Sequence, residues 1–161
     1  MPGKGVEIGG ISAVQGRLFR FTEASRRAIR EEVAEAGVNI QAEAQKLAPI
    51  DQARLRSSIR PRERDGGMST EVFSDANYAV YVHEGTRAHT PPFSAILKWA
   101  RRKLKGNKVR ARAMAGAVWQ HIRQHGTKPH PFLTPALERE APSFVRRLGA
   151  RLGIELRRSG V

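Results

Sequence analysis

Ile29-Arg30-Glu31-Glu32-Val33-Ala34-Glu35-Ala36-Gly37-Val38-Asn39-Ile40-Gln41-Ala42-Glu43-Ala44-Gln45-Lys46-Leu47-Ala48-Pro49 is the stretch whose reading decides the fold. Ile29, Val33, Ala36, Ile40, Ala44 and Leu47 recur at steps of 4, 3, 4, 4 and 3, with polar residues between them. That period predicts a long amphipathic helix with one face on a core, and Pro49 ends it. Upstream, Thr22 is the expected N-cap; Glu23, Glu31 and Glu32 lie in the N-terminal half and Lys46 near the end, as the helix dipole prefers. Gly37 either weakens the middle by about 1 kcal/mol relative to Ala or lets another segment approach closely. Residues 1–20 are glycine-rich with short apolar pieces (Val6, Ile8, Ile11, Val14) and predict an N-terminal arm or short strand.

Downstream of Pro49, Asp51 is placed to cap a short helical turn that puts Leu55 and Ile59 on one side. Residues 59–64 and 68–74 flank Asp65-Gly66-Gly67, a turn sequence, and predict a β-hairpin whose first strand is charged and exposed. Residues 77–86 are compact and aromatic, and both tyrosines, Tyr78 and Tyr81, are expected in the core with bonded hydroxyls. Two helices follow. Residues 93–104 point Ile96, Leu97, Ala100 and Leu104 inward, and Gly106-Asn107 stops them. Residues 109–124 offer Val109, Ala113, Ala117 (or Gly116), Val118 and Ile122 as their apolar side. A last helix is expected to start with Thr134 as N-cap and Pro135 in first position, with Leu137, Ala141, Phe144, Val145, Leu148, Leu152 and Leu156 as its apolar positions. Pro142 is expected to bend or restart it. The fold class is α+β: the long N-terminal helix packed on a small antiparallel sheet, with C-terminal helices. Residues 1–20 form the arm, 21–145 the domain and 146–161 a basic helical extension.

Two stretches share one order of parts. His83-Glu84-Gly85-Thr86-Arg87-Ala88-His89-Thr90-Pro91-Pro92-Phe93 and His125-Gly126-Thr127-Lys128-Pro129-His130-Pro131-Phe132 each run from Gly-Thr through a cation, a His and prolines to Phe, and then into a helix. Both read as stiff elbows.

The chain carries 29 Lys and Arg against 15 Asp and Glu, a formal charge of +14, and 22 of the cations are Arg. Residues 101–161 hold 15 of the cations but only 3 of the acids, so the anion-seeking surface is C-terminal. Eight cations, Lys98, Arg101, Arg102, Lys103, Lys105, Lys108, Arg110 and Arg112, fall within fifteen residues that also contain Trp99. They are candidates for sequence-independent contact with DNA phosphates or with an acidic partner, and a solvated basic face is the plain alternative. There is no cysteine, which excludes disulfides and thiolate metal sites. No apolar run is long enough to cross a bilayer and the start leads into no signal-type apolar region, so neither membrane contact nor secretion is expected.

Catalytic chemistry finds little support. His121 and His125 are four apart on one helical face, yet no third ligand and no intervening Glu accompany them. No nucleophile elbow surrounds Ser57 or Ser58, and no glycine-rich phosphate loop is present. A protein without enzymatic activity, metal or cofactor is expected.

Three segments together resemble a known family: Ala48-Pro49-Ile50-Asp51-x-x-Arg54-Leu55-Arg56-Ser57-Ser58-Ile59, then Tyr78-Ala79-x-Tyr81-Val82-x-x-Gly85-Thr86, then His125-Gly126-Thr127-x-x-x-Pro131-Phe132-Leu133-x-Pro135-Ala136-Leu137. In content and order they are similar to the tail-component family of siphovirus-type bacteriophages, whose type member comes from the Hong Kong 97 phage and whose functional analogue is the minor tail protein Z of lambda. The likeness spans residues 20–145. It departs from the family at Gln52-Ala53, where Thr-Gly is usual, and in the length of the basic segment 101–112. It implies a structural virion protein of the neck and tail that completes the tail and joins it to the head. The partners it implies are the tail tube, tail terminator and head-connector proteins, with about six copies in a ring and non-specific contact with packaged DNA. Asp51, Arg54, Leu55, Tyr78, Tyr81, Gly85, Thr86, Gly126, Thr127, Pro131, Phe132, Leu133 and Pro135 would then set the shape of an assembly interface. Outside that setting, the charge alone fits a sequence-nonspecific nucleic-acid-binding protein.

Overall fold

The computed structural model describes residues 11–49, 53–105 and 107–160. Helix α1 (Ile11–Leu47) is followed by α2 (Ala53–Ser58), strand β1 (Ile59–Arg64), strand β2 (Ser69–Ser74), α3 (Ala79–Glu84), α4 (Phe93–Lys103), α5 (Lys108–His125) and α6 (Leu133–Ser159). The architecture is α+β, with the long N-terminal helix against a two-stranded antiparallel sheet and helices after it. The strands pair from Ile59↔Ser74 to Arg64↔Ser69, and Asp65-Gly66-Gly67 turn between them with positive φ throughout. Gly37 sits where the sheet meets α1. A Cβ there would come within 2.8 Å of Thr70 Oγ1 and 3.2 Å of Pro61 Cβ, so close approach is its role.

α1 begins earlier than Thr22. From Ile11 onward the expected arm or strand is helix, while residues 1–10 lie outside the described residues. The helix has a neighbour there: Arg17 Nη1 donates to Gly160 O at 3.3 Å, at the far end of α6. Thr22 therefore sits inside the helix, its hydroxyl bonding back to Leu18 O. At the other end, Arg56 donates to Ala48 O from Nε (3.1 Å) and Nη2 (2.9 Å), closing the C-terminus of α1, while Gln45 and Gln41 donate to Arg56 O and Ile59 O. Ala48 and residues 56–59 are thus tied into a joint between helix and sheet.

α6 runs antiparallel to α1, and ion pairs line the seam. Glu32 is only 1% exposed; Arg147 Nε lies 2.9 Å from its Oε2 and Arg151 Nε 2.6 Å from its Oε1. Arg147 also donates to Glu140 (2.7 Å), Arg151 to Glu31 (2.7 Å) and Arg139 to Glu43. A carboxylate this buried costs several kcal/mol unless it is paired, and two guanidinium groups supply the pairing. These contacts correct the expected apolar side of α6. Leu137, Ala141, Val145 and Leu156 are exposed, whereas Ala136, Glu140, Phe144, Arg147 and Leu148 turn toward the body. Helix α6 also starts at Leu133 with Phe132 in the N-cap position, so Thr134 is not the cap; Pro135 lies within the first turn, where its missing N–H is harmless. Pro142 neither restarts nor ends α6. Pro142 and Glu138 are both exposed, which leaves the unbonded Glu138 carbonyl to water.

Two cores result. The larger joins Ile40, Ala44, Leu55, Ile59, Phe132 and Ala136 beneath α3. The smaller consists of Ile96, Ala100, Ala111 and Ala115, flanked by Trp99 and Trp119, between α4 and α5. These two helices pack chiefly on each other and form a helical finger. The inward side of α5 is Ala111, Met114, Ala115, Val118 and Ile122. The expected Val109, Ala113 and Ala117 instead face solvent, because the alanine pair at 111 and 115 allows the closer approach to α4.

Candidate assembly interface at the paired elbows

The finger leaves the body through one elbow and returns through the other, and the two elbows are bonded together. Thr86 and Thr127 form an isolated antiparallel bridge: Thr86 N–H donates to Thr127 O and Thr127 N–H to Thr86 O, both at 3.1 Å. Their hydroxyls lie 3.0 Å apart and Thr86 Oγ1 also accepts from Thr127 N–H. The glycine before each threonine is what allows the approach. A Cβ on Gly85 would stand 2.4 Å from Thr127 O, and one on Gly126 1.9 Å from Thr86 O; both residues have positive φ, 74° and 75°. The repeated Gly-Thr pattern is therefore a contact, a neck between body and finger.

His83 locks the returning strand. Its Nδ1 accepts from Phe132 N–H at 3.3 Å, which places the proton on Nε2, free to donate to Thr134 Oγ1 at 3.2 Å. The ring also packs edge-on against Phe132, with centroids 5.2 Å apart. His130 N–H donates to Val82 O at 2.9 Å, and Trp119 Nε1–H donates to Pro91 O at 2.8 Å, tying the finger to the first elbow.

An open groove of about 690 Å³ runs beside the neck, between α3 and both elbows. Tyr78, Tyr81, Val82 and Ile122 give it an apolar floor, and Arg87, His89, Lys128 and His130 rim it with cations and imidazoles. Tyr81 is 61% exposed and not the core residue expected; α3 turns Ala79 and Val82, three residues apart, to the larger core and leaves Val80 and Tyr81 outside it. Tyr78 is half-buried, and its hydroxyl is shielded from water without a bonding partner. An aromatic floor with a basic rim suits an apolar side chain carried next to a carboxylate.

The residues expected from the sequence to form the interface fall in different parts of the fold. Leu55, Phe132 and Leu133 are core or packed on it, Phe132 being wholly buried. Tyr78, Tyr81, Thr86 and Thr127 line the groove, while Gly85 and Gly126 make the neck. Arg54 and Pro131 are exposed, Pro135 lies in the first turn of α6, and Asp51 is outside the described residues. The eight basic residues of the finger are all exposed, and none of them lines this groove. His83, Arg56, Arg87 and Lys128 were not singled out. The signal for His83, Arg87 and Lys128 is their place in the two echoed elbows, and that for Arg56 its place in the segment 48–59.

Among the described residues, no group of three or more His, Asp or Glu is placed to hold a metal. His121 and His125 do share a face, their rings stacked 4.8 Å apart, but His130 bonds to Leu47 O elsewhere. No helix among the described residues is long and apolar enough to cross a membrane.

Residues 12–85 match the HK97-gp10-like family of bacteriophage tail components. The matched span contains α1, α2, the hairpin and α3, and it stops at Gly85, within the neck. The third segment of the resemblance, residues 125–137, lies beyond the family match but is the segment bonded to Gly85-Thr86. No curated protein and no solved structure is detectably similar to the chain.

Proposed function

We propose that this chain is a structural protein of a phage tail that completes the tail and joins it to the head connector, working as a ring of about six copies at the head-to-tail junction. The family match over residues 12–85 carries the reading. The neck adds to it: residues 125–133, outside the match, fold onto its last residues, so that the groove at Tyr81 draws on both. In this reading the groove receives a segment of a neighbouring ring protein, the tail tube, tail terminator or connector. Stiff, bonded elbows lose little entropy on docking. The domain from 21 to 145 is the unit that assembles, and the basic extension after it continues α6 along α1.

The test is joining. Tails made without this protein, mixed with filled heads, should yield infectious particles when the purified protein is added. Tyr81→Ala, on an exposed site that leaves folding intact, should lower the yield at least tenfold. Full joining by heads and tails without the protein, or an undiminished yield with Tyr81→Ala, would refute the proposal.

A further inference from the structure

We infer that the end of the α4–α5 finger is a docking point for duplex DNA, gripping the phosphate backbone without reading sequence. Residues 85–131 contain 11 Lys and Arg and no Asp or Glu, so nothing on the finger itself neutralises it. The body treats its cations differently, since Arg139, Arg147 and Arg151 on α6 are all committed to glutamates of α1. On the finger, Lys103, Lys105, Lys108, Arg110 and Arg112 make no ion pair among the described residues, and all are exposed. The net charge of the molecule is therefore concentrated on one projection.

Its position on that projection matters as much. Seven of the cations fall within residues 101–112, the last turn of α4, the connecting turn and the first turn of α5. At 1.5 Å per residue α5 carries that end about 26 Å from the neck. On either side of residue 106, Lys105 has φ 46° and Asn107 Oδ1 accepts from Arg110 N–H at 3.1 Å, which caps α5 beneath its cations. Cations packed this closely are best matched by an equally dense anion. A duplex offers one phosphate per about 1.7 Å of its axis, whereas acidic side chains on a protein surface are rarely so crowded. Phosphate oxygens also match the arginine fork. Nothing on the finger resembles a base-reading helix, so binding is sequence-independent.

The experiment uses the full chain and a labelled duplex of mixed sequence, with binding followed by fluorescence anisotropy as salt is raised. Lys103→Gln/Lys105→Gln/Lys108→Gln should weaken binding roughly 100-fold near 0.1 M salt, and flatten the slope of log K against log salt by up to about 2.7, the value for three lost phosphate contacts. Arg20→Gln/Arg27→Gln/Arg157→Gln removes the same charge from exposed sites on the body and should cost less than about threefold. Equal losses in the two variants, or an unchanged slope in the first, would overturn the assignment. So would displacement of the duplex by poly-glutamate at matched charge concentration, which would make the finger an acidic-protein site. Head-to-tail joining is not read in this assay, so either proposal can fail without the other.

Discussion

Replacing Gly126 by Ala should unlock the neck, and its cost can be worked from the geometry. The new Cβ would stand 1.9 Å from Thr86 O and 2.7 Å from the Arg87 carbonyl carbon, both backbone atoms that cannot swing aside as a side-chain end can. Backbone at φ 75°, ψ −155° is also a region almost reserved for glycine, adding on the order of 2 kcal/mol of strain. Relieving the clash breaks the two Thr86–Thr127 backbone bonds, worth about 1 kcal/mol each. The sum, about 4 kcal/mol, corresponds to a fall in Tm of roughly 8–16 °C if body and finger unfold together. Trp99 and Trp119 are the two tryptophans of the chain and both flank the smaller core, so their fluorescence reports the finger while far-UV circular dichroism reports all the helices. If body and finger unfold together the two transitions of Gly126→Ala should fall by the same amount, and if the finger unfolds on its own the fluorescence transition should move down further than the dichroism transition. Gly116→Ala is the matched control: nothing lies within 4 Å of its added Cβ, and the middle of α5 should gain up to about 1 kcal/mol. A Gly126→Ala protein melting within 2 °C of the parent, on either probe, would refute this account of the neck.

Two further outcomes are expected. Phe132→Ala empties a wholly buried site in the larger core and should cost about 3–5 kcal/mol in denaturant unfolding, whereas Arg158→Ala, at an exposed pair with Glu155, should cost under about 0.5 kcal/mol. The α1–α6 seam should be acid-labile. Burial pushes the Glu140 carboxyl up, but hydrogen bonds from Arg147 and Asn39 more than offset this, so it titrates below its ordinary 4.5. A depressed carboxylate stabilises the fold above the unfolded value and loses that contribution as pH falls through the folded one. Thermal midpoints should therefore drop below about pH 4.5, and Glu140→Gln should lower the midpoint at neutral pH while flattening that acid limb. An acid limb as steep in the variant as in the parent would remove Glu140 from the explanation.

The body of the fold was legible where one physical rule acted alone. Ile40, Ala44 and Leu47 follow a helical period because one face meets the core, and Asp65-Gly66-Gly67 turn because glycine tolerates positive φ. Reading failed where apolar spacing did not coincide with burial. Val109, Ala113 and Ala117 have the spacing of a core face, but Ala111 and Ala115 won the contact with α4 because small side chains let the two helices close. On α6 the inward positions are held by Glu140 and Arg147, which hydropathy assigns to solvent; their partners on the facing helix α1, Asn39 for Glu140 and Glu32 for Arg147, explain them. Similarly, Pro142 falls where a lost hydrogen bond faces water, a fact that a linear chain does not carry.

The elbows show a different kind of legibility. Their shared order of residues was visible as a repeat, and a repeat within one domain reads most simply as two similar turns. Gly85-Thr86 and Gly126-Thr127 are instead two halves of one structure, alike because an antiparallel bridge asks the same of both strands: a glycine to permit approach, and a threonine whose backbone and hydroxyl bond across. This changes what the signature residues mean. Under the proposed function, Gly85, Gly126 and Phe132 need touch no partner to matter for assembly, since they hold the elbows that carry Arg87 and Lys128 to the groove beside Tyr81. A defect at the neck should accordingly be accompanied by lost stability, whereas a defect at Tyr81 should leave the melting curve in place. That contrast, measured on the same purified variants used for joining, separates residues that shape the interface from residues that meet the partner.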